Sequence, residues 1–240
     1  ACWSGVLDVV NLLLTWGKTP ADPNARSDDG WSPLIVAVHE EREDIVNRLL
    51  LEPNLDLSAV EENDGFTALN LAIHRGSGFI VDALLTQEKA IDFRDDANWT
   101  PLYTATEGQN LEFMKRLLKF KSDGKIRNLE TGDYRGFTPL LSACENGFTE
   151  GVKLLVGVGA DCNAQSHSGS TPLMEASREN HLDAVQALFQ NRDAVNIDHA
   201  DKEGQTALHI ATYNGHYAVA TFLINKEATM DSQDDFCRTL

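Results

Sequence analysis

Asp133 to Asn163 reads DYRGFTPLLSACENGFTEGVKLLVGVGADCN, and its fixed point is Thr138-Pro139-Leu140. A threonine hydroxyl accepts a hydrogen bond from a helix's first free N–H groups, and proline fits the first helical position, where its missing N–H costs nothing. Ala143 is small enough to let two short helices approach closely. Gly136 suits a turn with positive φ, and Gly147 suits the break between a first helix and a second. The stretch therefore predicts turn, helix, turn, helix and a polar loop.

Working outward, the same unit recurs along the chain. Ser32-Pro33-Leu34, Thr67-Ala68-Leu69, Thr100-Pro101-Leu102, Thr138-Pro139-Leu140, Thr171-Pro172-Leu173 and Thr206-Ala207-Leu208 stand 35, 33, 38, 33 and 35 residues apart. Five residues after each Ser/Thr stands an alanine (Ala37, Ala72, Ala105, Ala143, Ala176, Ala211). Seventeen residues after it stands a leucine (Leu49, Leu84, Leu117, Leu155, Leu188, Leu223). All the variation in length lies between that leucine and the next Ser/Thr, so a rigid unit is joined by adjustable loops. The second helix has apolar spacing close to 3.6, as in Ile45-Val46-Leu49-Leu50 and Ile80-Val81-Leu84-Leu85.

These residues resemble the ankyrin repeat, whose pattern runs D-x-x-G-x-T-P-L-H-x-A-A-x-x-G-H, a V-x-x-L-L helix, then G-A-D-x-N. The match is close from Asp133 to Asn163, and again from Gly204 to Ala228, with Thr206-Ala207-Leu208-His209 and Asn214-Gly215-His216. Departures are local. Only His209 keeps the T-P-L-H histidine, Asn98 replaces the hairpin glycine, and Glu41, Gln109 and Asn180 replace the mid-unit glycine. The resemblance implies an all-α ankyrin-repeat solenoid with hairpin loops. We expect six full units, near 27–61, 62–94, 95–132, 133–165, 166–200 and 201–233, and partial units at 1–26 and 234–240. The partial ends predict a piece of a longer chain, because repeat arrays need polar capping units.

Composition is that of an ordinary globular protein, 42% hydrophobic and 24% charged, without an apolar run of membrane-spanning length. Ala1-Cys2-Trp3-Ser4 has no basic n-region or signal-peptide layout. Cys2, Cys144, Cys162 and Cys237 are scattered, without zinc spacing, which predicts a reducing compartment, cytoplasm or nucleus. A net charge of −17 disfavours nucleic acid and anionic lipid and favours a basic partner.

The resemblance implies partner binding along the concave side, formed by hairpin loops and first helices. Three features fall there. The residue before each Ser/Thr is aromatic in four consecutive units, Trp31, Phe66, Trp99 and Phe137, then Ser170 and Gln205. Such a stripe is either a binding hot spot or packing between hairpins, and we expect a split outcome, with the rings edge-exposed and part-buried and Trp31 and Trp99 more accessible than Phe66 and Phe137. Acidic clusters recur at loop tips: Asp28-Asp29, Glu61-Glu62 with Asp64, Asp95-Asp96, Asp198 with Asp201 and Glu203, and Asp234-Asp235. They solvate the surface or steer a basic peptide. Against them stands a basic segment, Lys115–Arg127, leading into the longest interval and able to dock an acidic partner. One position of the first helix carries His39, His74, Glu107 and Glu145. Two histidines without a third clustered ligand make a poor metal site. Arg135 and Tyr213 complete the candidate partner-binding set with Asp64 and the residues above.

Neither a phosphate-binding loop nor a nucleophile elbow nor a zinc-protease helix motif occurs in the sequence. We therefore expect a non-catalytic scaffold without cofactors that binds a protein or peptide. The alternative is a regulatory or targeting module of a larger enzyme or channel. Leu155, Asp161 and Asn163 also have the spacing that resembles substrates of the asparaginyl hydroxylase acting on ankyrin repeats, although this asparagine belongs to the repeat pattern itself.

Overall fold

The computed structural model describes residues 1–15, 20–28, 30–62, 65–122, 125–126, 128–190 and 195–230, with the side chains of 121, 122, 125 and 126 excepted. Among the described residues it holds thirteen α-helices. After α1 (Leu7–Thr15) they come in pairs: α2 (Pro33–His39) and α3 (Glu43–Leu49), then α4 (Ala68–Arg75) and α5 (Gly78–Leu85). A 3-10 turn, Glu88–Asp92, follows α5. Next come α6 (Pro101–Glu107) with α7 (Leu111–Leu117), and α8 (Pro139–Glu145) with α9 (Thr149–Gly157). The last pairs are α10 (Pro172–Arg178) with α11 (Leu182–Leu188), and α12 (Ala207–Tyr213) with α13 (Tyr217–Asn225).

Helices of seven to nine residues are too short to be stable alone, so packing must hold them. The start of each first helix is fixed as the sequence predicts. Ser32, Thr67, Thr100, Thr138, Thr171 and Thr206 each accept, through the side-chain oxygen, the N–H three residues on, at 3.2–3.4 Å. Thr206 is capped in return, since His209 Nδ1 accepts its N–H at 3.3 Å. That explains why a histidine suits this position.

By contacts the chain divides into two compact units, Ala1–Ala105 with Lys115–Arg127, and Thr106–Met114 with Asn128–Leu240. In the first, α2 packs on α3 and α4, α4 on α5, and α3 on α1 and α5. In the second, α8 packs on α9 and α10, α10 on α11 and α12, α12 on α13, and α11 on α9 and α13. All six repeat alanines are fully buried, and all six repeat leucines are buried. Each buried leucine contributes roughly 1.5–3 kcal/mol of transfer free energy.

The mid-unit turn is left-handed in every unit, whatever the residue. Glu41, Gln109 and Asn180 adopt φ of 53°, 49° and 59°, beside 76°, 65° and 72° at Gly76, Gly147 and Gly215. The departures from glycine thus leave the geometry unchanged and carry the strain themselves. At the hairpins glycine serves a second purpose, close approach. A Cβ on Gly136 would stand 3.0 Å from the His167 backbone nitrogen, and one on Gly65 2.5 Å from Asp96. Successive hairpins are bonded there: His167 N–H donates to Arg135 O at 2.8 Å, Asp96 N–H to Gly65 O at 3.1 Å. The long interval contains something the all-helical reading omits, a strand pair, β1 (Lys121–Ser122) antiparallel to β2 (Lys125–Ile126). No helix among the described residues is long and apolar enough to cross a membrane.

Candidate functional site

Each hairpin fixes the backbone of the residue at its base. Ser27, Asp95, Asp133, Ser166 and Asp201 each receive, on the side-chain oxygen, the N–H four residues on, that of Trp31, Trp99, Phe137, Ser170 and Gln205, at 2.7–3.2 Å. In the second hairpin Glu61 performs this task for Phe66, five residues on, at 3.1 Å. The longer glutamate side chain accommodates one additional residue. Glu61 and Asp95 are therefore buried hairpin anchors, which corrects their reading as solvated or steering acids. Burial raises the Asp95 carboxyl above its ordinary value, opposed by the bonds from Trp99 N–H and Asn70. Asp28, Glu62, Asp96, Asp198 and Glu203 are exposed, while Asp29, Asp64, Asp234 and Asp235 lie outside the described residues.

From the hairpin base to the end of the first helix is eight residues, about two helical turns, so the two side chains return to one side. In the first unit Trp31 and His39 meet edge to face at 4.9 Å between ring centroids. Trp3 completes the cluster at 5.7 Å from Trp31 and 5.9 Å from His39, and its indole is 55% exposed. Phe66 lies 5.0 Å from His74, also eight residues on, with the ring planes tilted 30°. Trp31, Phe66 and His39 are half-buried and His74 is exposed. Trp99 departs from the pattern. Its ring stacks at 5.1 Å on fully buried Tyr103, and its Nε1 is buried without a hydrogen-bond partner.

In the second unit the same positions are occupied by charges. The Arg135 guanidinium lies 4.1 Å over the Phe137 ring, which is only 7% exposed. It donates to Asp133 at 3.0 Å and to both Glu145 oxygens at 3.3 and 3.4 Å. Burial raises the Glu145 carboxyl above its ordinary value against the pull of Arg135, and Glu175 and Glu107 push the same way as burial. Glu107 accepts from Ser142 Oγ at 2.6 Å and from the Asn146 amide at 3.4 Å. Arg178, eight residues after Ser170, donates to its hydroxyl at 3.5 Å and pairs with Glu175 at 3.5 Å. Tyr213, eight after Gln205, is 79% exposed.

The expected difference between indoles and phenyls appears only at Phe137, since Phe66 is as accessible a class as the two tryptophans. Trp3 was not among the residues singled out from sequence. The signal was present, however, because Trp3 stands two residues after Ala1, as His39 and His74 stand two after Ala37 and Ala72. Arg178 occupies the same position and was likewise missed. Of the basic stretch, Lys115 and Lys119 are exposed, while Arg116 is engaged with Asp82 at 2.8 Å and Gly78 O at 3.2 Å. Cys144 is fully buried and burial holds its thiol well above the ordinary range, so it packs as a small apolar group. Asn163 accepts Asn196 N–H at 2.7 Å and donates its own N–H to Asp161, so its side chain joins successive loops. Among the described residues no three His, Cys, Asp or Glu side chains converge on a possible ion.

The family model described as "Ankyrin repeats (3 copies)" matches residues 1–95, 76–166 and 157–234. Ankyrin repeat and SOCS box protein 3 of Bos taurus is 28% identical over 173 residues, 72% of this chain and 32% of that protein. The B-cell lymphoma 3 protein homolog of Mus musculus is 29% identical over 204 residues, 84% of this chain and 45% of that protein. The chain thus spans a third to under half of these relatives' lengths. Among solved structures, the ankyrin repeat domain of Bcl-3 superposes with a TM-score of 0.78 at 28% identity, covering 88% of this chain and 93% of that one.

Proposed function

The chain belongs to the ankyrin-repeat family, and we propose that it is a non-catalytic scaffold that binds a protein or peptide on its hairpin-base and first-helix surface. One observation carries the proposal. In the first unit Trp3, Trp31, Phe66, His39 and His74 form ring clusters that are left exposed or half-buried at the ends of helices whose other faces are packed. Exposed aromatic area gives nothing to folding, whereas aromatic anchors dominate protein interfaces. His39 packs against the Trp31 anchor, Phe66 and His74 form the equivalent pair in the next repeat, and Arg135, Glu107 and Tyr213 supply polar contacts on the second unit's surface. The expected partner is basic, because the chain carries −17.

The experiment is affinity capture with the intact chain beside a Trp31→Ala, Phe66→Ala double variant of matched helical content. Loss of a reproducible partner from the variant supports the surface. Equal capture by both removes it. A second reading, a targeting or regulatory module of a larger protein, is favoured by the relatives' lengths, of which the matching stretch is only 32% and 45%.

A further inference from the structure

The first unit's aromatic surface has an internally occupied counterpart in the second. At Phe137 the chain lays its own guanidinium on the ring, 4.1 Å from the centroid, with the carboxylates of Asp133 and Glu145 holding the charge. The ring beneath is buried. In the sequence, the register position of Arg135, three residues before the capping Ser/Thr, reads Asp29 and Asp64 in the first two hairpins. There the sequence has an aromatic at the base and an acid in place of the arginine.

We propose that an arginine of the partner takes this place in the first unit, its guanidinium stacked on the Trp3–Trp31 indole pair. The inference rests on the binding surface proposed above and names the partner's chemistry there. Indole has the strongest attraction for a cation among the aromatic side chains, and a planar guanidinium stacks on it while keeping its in-plane N–H groups free for carboxylates. The two ring centroids stand 5.7 Å apart with the planes tilted 32°, an offset stack too close to hold a group between the rings, and Trp3, 55% exposed, leaves ring surface open. That geometry suits a flat guanidinium better than an ammonium enclosed on several sides. Carboxylates are available in this repeat: Glu40, half-buried, contacts His39 at 3.0 Å, and Asp28, three residues before Trp31, is exposed. A free acidic group would meet the same carboxylates as a repulsion, which commits the surface to a cationic segment.

The test is selection of binders from a random dodecapeptide display library on the intact chain, with each binder then measured on Trp31→Ala and on Trp3→Ala. The second variant removes an already exposed ring and guards against a Trp31 variant that folds poorly. We expect binders that depend on both tryptophans to carry an arginine whose replacement by citrulline, neutral but of the same shape, weakens binding about tenfold or more. Tryptophan-dependent binders that lack arginine, or that tolerate citrulline, would overturn the arginine inference and leave the binding surface standing. Binders indifferent to both tryptophans, or no binders, would count against the inference and the surface together.

Discussion

Arg135 stacks on Phe137, its guanidinium carbon 4.1 Å from the ring centroid, and covers a buried phenyl ring whose counterparts in the first unit remain half-exposed. The arginine is itself partly exposed, so its ion pairs are screened and its worth lies mainly in covering the ring. Arg135→Ala should therefore cost about 1 kcal/mol of stability by urea denaturation. Arg135→Lys should recover little of it, because an ammonium neither stacks flat nor reaches Asp133 and Glu145 together.

Glu145 provides a pH test. Its folded-state carboxyl is raised above 4.5, chiefly by burial, so the folded protein binds this proton more tightly than the unfolded chain does. The contribution to stability is then fully present below the unfolded value and declines as pH rises through the folded one. Urea midpoints of wild type and Glu145→Gln between pH 4 and 8 should show the wild type losing ground to the variant as pH rises. A gap that widens in the wild type's favour would mean that Arg135 outweighs burial.

Trp99 should behave as packing. Its ring lies on buried Tyr103 and its Nε1 is buried without a partner, a donor that costs about 1–3 kcal/mol to leave unmade. Trp99→Ala should lose about 3 kcal/mol of folding free energy. Trp99→Phe, which deletes the unpaired donor and keeps the stacking, should lie within about 1 kcal/mol of wild type in the same measurement.

The left-handed turns separate two costs of a side chain. Gly76 has open space where a Cβ would project, whereas a Cβ on Gly147 would stand 2.6 Å from the His181 ring. Both positions have positive φ, so Gly76→Ala should cost about 1–2 kcal/mol for backbone strain alone. Gly147→Ala should cost clearly more by thermal or chemical denaturation. Asn180→Gly, relieving strain at φ 59°, should gain up to about 1 kcal/mol.

The repeat was legible because its residues act locally: a hydroxyl caps, an alanine permits close packing, a leucine fills the core. All three keep their register through six units and need no knowledge of distant partners. The hairpin acids were misread because a carboxylate at a loop tip and one turned back onto its own backbone have the same sequence signature. Glu61 and Asp95 differ from exposed Glu62 and Asp96 only in which way the chain turns. The aromatic column was legible as a column but not in its exposure. That is set by the side chain that covers each ring: Arg135 over Phe137, Tyr103 beneath Trp99, His74 beside Phe66. Trp3 is readable from register alone, two residues after Ala1 as His39 is after Ala37.

The central claim is that the ring surface of the first unit binds a protein segment, and alanine scanning against a selected binder tests it most directly. Affinity should be measured by calorimetry for Trp31→Ala and His74→Ala, and for two controls with exposed apolar side chains elsewhere, Leu51→Ala and Phe79→Ala, 76% and 77% exposed. The account predicts a loss of at least about 2 kcal/mol at Trp31, a smaller loss at His74, and no change at Leu51 and Phe79. Full affinity in Trp31→Ala together with a loss in Phe79→Ala would contradict it, and would move the binding surface to the start of α5.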